Sequence, residues 1–410
     1  MKILVLLPRF PWPLDKGDKL RAYHQIVELS KKHEIYLFAL SHESVDESQL
    51  EAMQPFCKAI HVEHLCKAAC CANVLRSFIK REPLQLGYWT TIRAKRAFAR
   101  FKNEIRPDII YRQMIRTAKY EGGGVLDFQD ALSLNTQRRM ERSHGLLRLI
   151  LRYEQQALRR AEQAALNRFE ATTVIASADC NAITQTFKHC RLSRRHTTSN
   201  QAIYIVPNGV DTDFFNTQAF KHSSIQAFTH SHIHAFSIVF VGNMAYPPNV
   251  DAARFLVEEI MPLVWSRIPS ATVLIAGADP RPAVKALAGP NVTVSGRMDD
   301  IRTAYASAKM FVAPMRIGSG MQNKLLEAMS MRLPCVTTSL AAAPLGATAW
   351  EHLLVGDSAE QIADLIVKLG IEELHDSIAD GGHRFVQEHY SWQAAVEPLE
   401  HILNAQLESK

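Results

Sequence analysis

The chain has 410 residues, of which 47% are hydrophobic, 21% charged and 8% aromatic. That length favours two domains over a single core, and the composition excludes a disordered or fibrous chain. Lys and Arg number 47 against 41 Asp and Glu, a formal net charge of +6, which gives no case for a nucleic-acid binder but is compatible with an anionic partner.

The opening KILVLL (2–7) reads as a fully buried strand. The turn-rich loop PRFPWPLDKGDK (8–19) follows, and KLRAYHQIVELSKK (19–32) carries apolar residues at helical spacing. Pro8 and Arg9 cut off the apolar run before it can serve as a secretory signal, and no stretch approaches the roughly 18 apolar residues of a membrane span. A cytoplasmic chain is expected, and seven irregularly spaced cysteines agree with a reducing compartment. EIYLFAL (34–40) is the next buried strand. Cys57, His61, His64, Cys66, Cys70 and Cys71 are the densest set of soft ligands, but their intervals fit no zinc finger and alternate with apolar residues as in a strand and helix. No metal is expected there.

PDIIYR (107–112), GGVLDF (123–128) and ATTVIAS (171–177) repeat the buried-strand pattern. Between the last two, RRMERSHGLLRLILRYEQQALRRAEQAALNRFE (138–170) reads as a helix with eight arginines and the apolar strip Leu147, Ile150, Leu151, Leu158, Ala161 and Ala165. Its basic face suits peripheral contact with an anionic membrane, tempered by Glu141, Glu154, Glu162 and Glu170. Residues 188–235 lack a sustained apolar period and read as the connection between domains. FSIVFVG (236–242), ATVLIAG (271–277), NVTVSG (291–296), KMFVAP (309–314) and LPCVTT (333–338) then repeat the grammar, with helical patterns between them. The reading is α/β: two Rossmann-like doubly wound domains at 1–205 and 206–378, facing across a cleft, and a helical segment at 379–410 that returns to the first domain, anchored by Tyr390 and Trp392.

The most informative stretch is APMRIGSGMQNKLLEAMSMRLPCVTT (313–338). Gly318 and Gly320, with Ser319 between them, let backbone N–H groups approach an anion, and a helix beginning near Met321 would aim its positive end at the same place. Lys324 on the first turn suits a diphosphate, and Glu327 suits a ribose diol. With EAMSMRLPCVTT completing it, this segment resembles the donor-binding signature of GT-B retaining glycosyltransferases of the group-1 or GT4 family. PNGVDTDFF (207–215) resembles that family's entry to the second domain, and FVGNMAYPPNVDA (240–252) its first strand and loop. Together with the opening MKILVLLPRFPWPLDKGDKLR, these stretches look like the sugar transferases found with exopolysaccharide systems associated with PEP-CTERM protein sorting.

The resemblance implies transfer of a sugar from a UDP- or GDP-sugar to a glycan or lipid-linked acceptor, with retention and without a tightly bound cofactor or a required metal. Glu327 matches the second glutamate of the family's paired motif, but Ser319 stands eight positions upstream where the first is usual. The family's Arg and Lys pair after the first strand of the second domain is absent from GNMAYPPNVD (242–251). Arg316, Lys324 and Arg297 are the cations available in its place. Gly17 is expected on the donor side, Arg21, Tyr111 and Arg112 on the acceptor side, and Asp127 and Asp130 as groups assisting catalysis together with Lys324. Asp130 equally suits a helix N-cap. Other readings are a GT-B epimerase or hydrolase acting on a nucleotide sugar, or a non-catalytic nucleotide-sugar or glycan binder. A dehydrogenase is disfavoured because the first loop lacks the dinucleotide glycine pattern.

Overall fold

The computed structural model describes residues 1–141, 143–184, 203–217, 220, 237–317 and 321–408. They divide into two compact units, Met1–Pro207 with Ala395–Lys410, and Asn208–Ala394.

The first unit is built on seven parallel strands: β1 (Lys2–Leu7), β2 (Glu34–Ser41), β3 (Ala59–His64), β4 (Ile109–Gln113), β5 (Val125–Gln129), β6 (Ala171–Val174) and β7 (Ile203–Ile205). Their order is β3-β2-β1-β4-β5-β6-β7. Runs such as Ile3 to Leu7 are apolar on both faces because helices cover the sheet on both sides, so all five side chains are buried. The second unit has six parallel strands, β8 (Ser237–Val241), β9 (Thr272–Ala276), β10 (Val292–Gly296), β11 (Met310–Ala313), β12 (Cys335–Thr337) and β13 (Leu354–Val355), in the order β10-β9-β8-β11-β12-β13. Strand order reverses between β1 and β4 in one sheet and between β8 and β11 in the other. These are the switch points at whose carboxyl ends an open α/β sheet leaves a crevice.

The described structure departs from the periodicity in three places. The 138–170 stretch is two helices, Leu132–Glu141 and Gly145–Arg168, separated at Gly145, whose φ of +59° is a conformation that costs glycine little. The short strands β7 and β13 have no apolar run long enough to announce them. The units change at 207/208 and 394/395 rather than at 205/206 and 378/379, because the helix Glu372–His389 buries Ile378, Phe385 and Val386 in the second unit's core. Tyr390 and Trp392 also work within that unit: the Tyr390 hydroxyl donates to the Leu345 carbonyl at 2.7 Å, and Trp392 lies against Gly209, where a Cβ would come within 2.7 Å of the indole.

Candidate functional site

At the switch point of the second unit, β8 ends at Gly242. A Cβ on Gly277, which has φ +139°, would lie 1.8 Å from the Gly242 carbonyl oxygen, so the β8 and β9 ends approach as closely as two backbones can. The Gly242–Asn243 turn leads into the helix Pro247–Arg254, whose buried Asn249 donates from Nδ2 to the Asn243 carbonyl at 2.9 Å and accepts from Lys324 Nζ at 2.6 Å. Lys324 sits on the first turn of the helix Asn323–Ser330, its ammonium 4.8 Å from the centre of the Phe240 ring. The loop after β11 is held in place by Thr337 and Thr338, whose hydroxyls donate to the carbonyls of Ala313 and Met315 at 2.7 and 2.6 Å.

Burial pushes the Lys324 ammonium down to about 8, against the opposing pull of Glu327. Burial likewise raises the Glu327 carboxyl above its ordinary value, while Tyr305 and Lys324 oppose the rise. The fully buried Tyr305 donates its hydroxyl to Glu327 Oε2 at 2.7 Å. The helix Asn323–Ser330, which carries Lys324 and Glu327, starts without a side-chain cap bond from Gln322, while the Leu325 N–H bonds the Gln322 carbonyl at 2.9 Å; such a helix start is a ready place for an anion. Asn323 Oδ1 is buried there without a hydrogen-bond partner among the described residues.

The structure thus brings Lys324 and Glu327 onto one helix start, as expected. Gly318, Ser319 and Gly320 lie outside the described residues. Arg316 is turned to the neighbouring helical segment, paired with Asp251 at 3.0 Å and Glu259 at 3.1 Å and lying 4.0 Å from the Phe255 ring centre. Arg297 is exposed just beyond β10.

In the first unit three of the expected residues, Arg21, Tyr111 and Asp127, come together. Asp127 is fully buried and accepts from Arg21 Nε at 2.8 Å, from the Tyr111 hydroxyl at 2.9 Å and from the Gln129 N–H at 3.0 Å. Arg21 also donates to the carbonyls of Pro207 and Val206 at 2.8 and 2.9 Å, tying the helix Gly17–Ser30 to the chain beyond β7. Arg112 is buried too and donates to the carbonyls of Tyr120, Gly122 and Gly123. Arg21, Tyr111 and Asp127 thus form one buried hydrogen-bonded network that also takes in Gln25, whereas Arg112 bonds backbone carbonyls. Asp130 is exposed at the sheet edge. Desolvation by the packed atoms around its carboxyl, reinforced by the charges of Asp179 and Asp127, pushes it up to about 6. At the adjoining start of the helix Leu132–Glu141, Asp179 accepts from the Ala131 N–H at 3.0 Å and Glu162 from the Ser133 N–H at 2.9 Å. Gly17 opens its helix on the exposed side, flanked by the pairs Arg9–Asp18 at 2.8 Å and Lys19–Asp15 at 2.9 Å.

Sequence reasoning missed a cavity of about 270 Å³ beside this loop, lined among others by Arg9, Trp12, Lys16, His42 and Trp89. Arg9 lies 5.9 Å from the Trp89 ring centre and His42 4.9 Å from it. The signal available was the aromatic and basic loop RFPW itself; Trp89 and His42 come from elements far along the chain.

Residues 235–370 match the family model described as glycosyl transferases group 1. Over 95% of its length the chain is 20% identical to an uncharacterized 44.6 kDa protein in the cps region of Klebsiella pneumoniae, of which it covers 96%. Among solved structures it is similar to sucrose-phosphate synthase from Thermosynechococcus elongatus, at 13% identity with 100% of both chains covered and a TM-score of 0.66. It is also similar to Anabaena Alr3699/HepE in complex with UDP, at 13% identity over 99% of this chain and 100% of that one, with a TM-score of 0.62. The chain therefore has the GT-B fold of two Rossmann-like domains, and the match to the group 1 glycosyl transferase model falls within its second unit.

Proposed function

We propose that the chain transfers a sugar from a nucleotide diphosphate sugar to a glycan or lipid-linked acceptor with retention of anomeric configuration, as a cytoplasmic enzyme of exopolysaccharide biosynthesis of the kind found with PEP-CTERM protein sorting. The observation that carries this reading is the half-buried Lys324 ammonium at an uncapped helix start on the switch point of β8 and β11, inside the stretch that matches group 1 glycosyl transferases. The similar fold of Alr3699/HepE, solved with UDP, supports a UDP-sugar as the first donor to try.

Negative charge grows on the diphosphate as the glycosidic bond breaks, and a fixed cation together with helix N–H groups stabilises it without having to reorganise. Lys324 and the start of the Asn323–Ser330 helix supply both. Glu327, held by Tyr305, offers its carboxylate to the nucleotide ribose. Retention follows if the acceptor hydroxyl attacks the face the diphosphate leaves, passing its proton to the departing phosphate. In the first unit, Trp89 gives the cavity an apolar ring on which a sugar can stack, while Arg9, Lys16 and His42 suit an anionic group beside it.

The test is incubation of the full chain with labelled nucleotide sugars and glycan or lipid extracts, read by mass spectrometry. Acceptor-dependent release of the nucleotide diphosphate, with label moved to the acceptor and the configuration retained by NMR, is expected. Release to water alone, isomerised donor, or nucleotide binding without turnover would instead identify a hydrolase, an epimerase or a non-catalytic binder.

A further inference from the structure

We propose that the first unit docks on an anionic phospholipid bilayer through a surface formed by two helices, Lys67–Ile79 and the amino-terminal third of Gly145–Arg168. On the first of these, Ala68, Ala72, Leu75 and Ile79 recur at intervals of three and four residues, so they share one face, and all four are exposed. An apolar stripe of this kind ordinarily faces a core; here Leu75 is 63% and Ile79 74% exposed. On the second helix Leu146, Leu147, Leu149 and Ile150 are exposed as well, Leu146 by 74% and Leu149 by 62%. The helices meet at Tyr153, whose ring lies 5.2 Å from that of the exposed Phe78 and whose hydroxyl donates to the Glu82 carbonyl at 3.0 Å. The apolar side chains therefore belong to one neighbourhood of the surface.

Charge decides what covers this face. No Asp or Glu occurs between Glu63 and Glu82 or between Glu141 and Glu154, whereas Lys67, Arg76, Lys80, Arg81, Arg148 and Arg152 are all exposed there. Two glutamates that temper the basic helix in the sequence point inward. Glu154 accepts from the Leu84 and Gln85 N–H groups at 2.7 and 3.1 Å, and Glu162 from the Ser133 N–H at 2.9 Å. A second copy of the chain would set like cations against each other, while a bilayer with anionic headgroups takes both the apolar side chains and the cations around them. No helix among the described residues is long and apolar enough to cross a membrane, so the contact is with one leaflet.

Flotation of the full chain with phosphatidylcholine vesicles, and with vesicles that also contain phosphatidylglycerol, tests this. Binding to the mixed vesicles is expected, weakened by salt. Ile79→Glu with Leu149→Glu should weaken it at least about tenfold, and Ile371→Glu, an exposed position in the second unit, should leave it unchanged. Unaltered melting temperatures would show that the variants are folded, and Ile79→Ser with Leu149→Ser serves if the charged pair melts early. Absence of binding to mixed vesicles, equal binding by the double variant, or a sedimentation result showing the face buried in a dimer that ignores vesicles would each overturn the proposal.

Discussion

Asp127 and Lys324 both carry charge away from water, and the chain treats them differently. Asp127 is surrounded by donors that use both its oxygens. Breaking such a buried pair leaves the Arg21 charge uncompensated, so Asp127→Ala should lower the unfolding free energy by about 3–5 kcal/mol, measured by urea titration. A variant of normal stability that had lost activity would instead place Asp127 in the chemistry. Among the described residues Lys324 donates to one neutral oxygen, Asn249 Oδ1, and burial brings its pKa to about 8 from its ordinary 10.5. Between those values the unfolded chain binds more protons than the folded one, so this group's contribution to stability rises with pH across that window and is unfavourable below it. Lys324→Met should therefore melt higher than the parent at pH 7, with the gap closing toward pH 10; an equal melting temperature throughout would contradict the burial cost. The placement of Lys324 and Glu327 on one helix was legible in sequence because NKLLEAMSM carries apolar residues at helical spacing. The buried network of Arg21, Tyr111 and Asp127 and the inward turn of Arg112 were not legible, because neither a helix position nor a strand end says whether a long side chain turns outward or back into the fold.

At the scale of elements, the same ambiguity runs through the arginine-rich stretch. Helical spacing was plain in 138–170, but the break at Ser143 to Gly145 was not, since one glycine in an apolar-periodic run is often tolerated. Nor does periodicity tell an outward glutamate from one that satisfies a neighbouring helix. Glu162 serves the start of the helix Leu132–Glu141, whose early N–H groups otherwise lack acceptors. Glu162→Ala should cost about 1–3 kcal/mol of stability, seen as a lower midpoint in chemical denaturation. An unchanged midpoint would mean that water replaces the carboxylate without loss.

For the whole molecule, the long apolar strands made two parallel sheets readable, because only coverage on both faces accounts for runs such as KILVLL and SIVFV. Strand order was not readable, and it is the order that puts Gly242, Asn249 and Lys324 together from segments separated by dozens of residues. The cavity beside Trp89 escaped for the same reason: its walls come from the loop after β1, the end of β2 and a short helix near residue 88. The central claim is that the start of the Asn323–Ser330 helix holds the diphosphate of a nucleotide. Calorimetric titration of UDP into the full chain and into Lys324→Ala tests it most directly. Loss of one charge-assisted contact, about 1.5–3 kcal/mol, predicts affinity weakened roughly ten- to hundredfold with the fold intact, and equal affinity in the two proteins would contradict it.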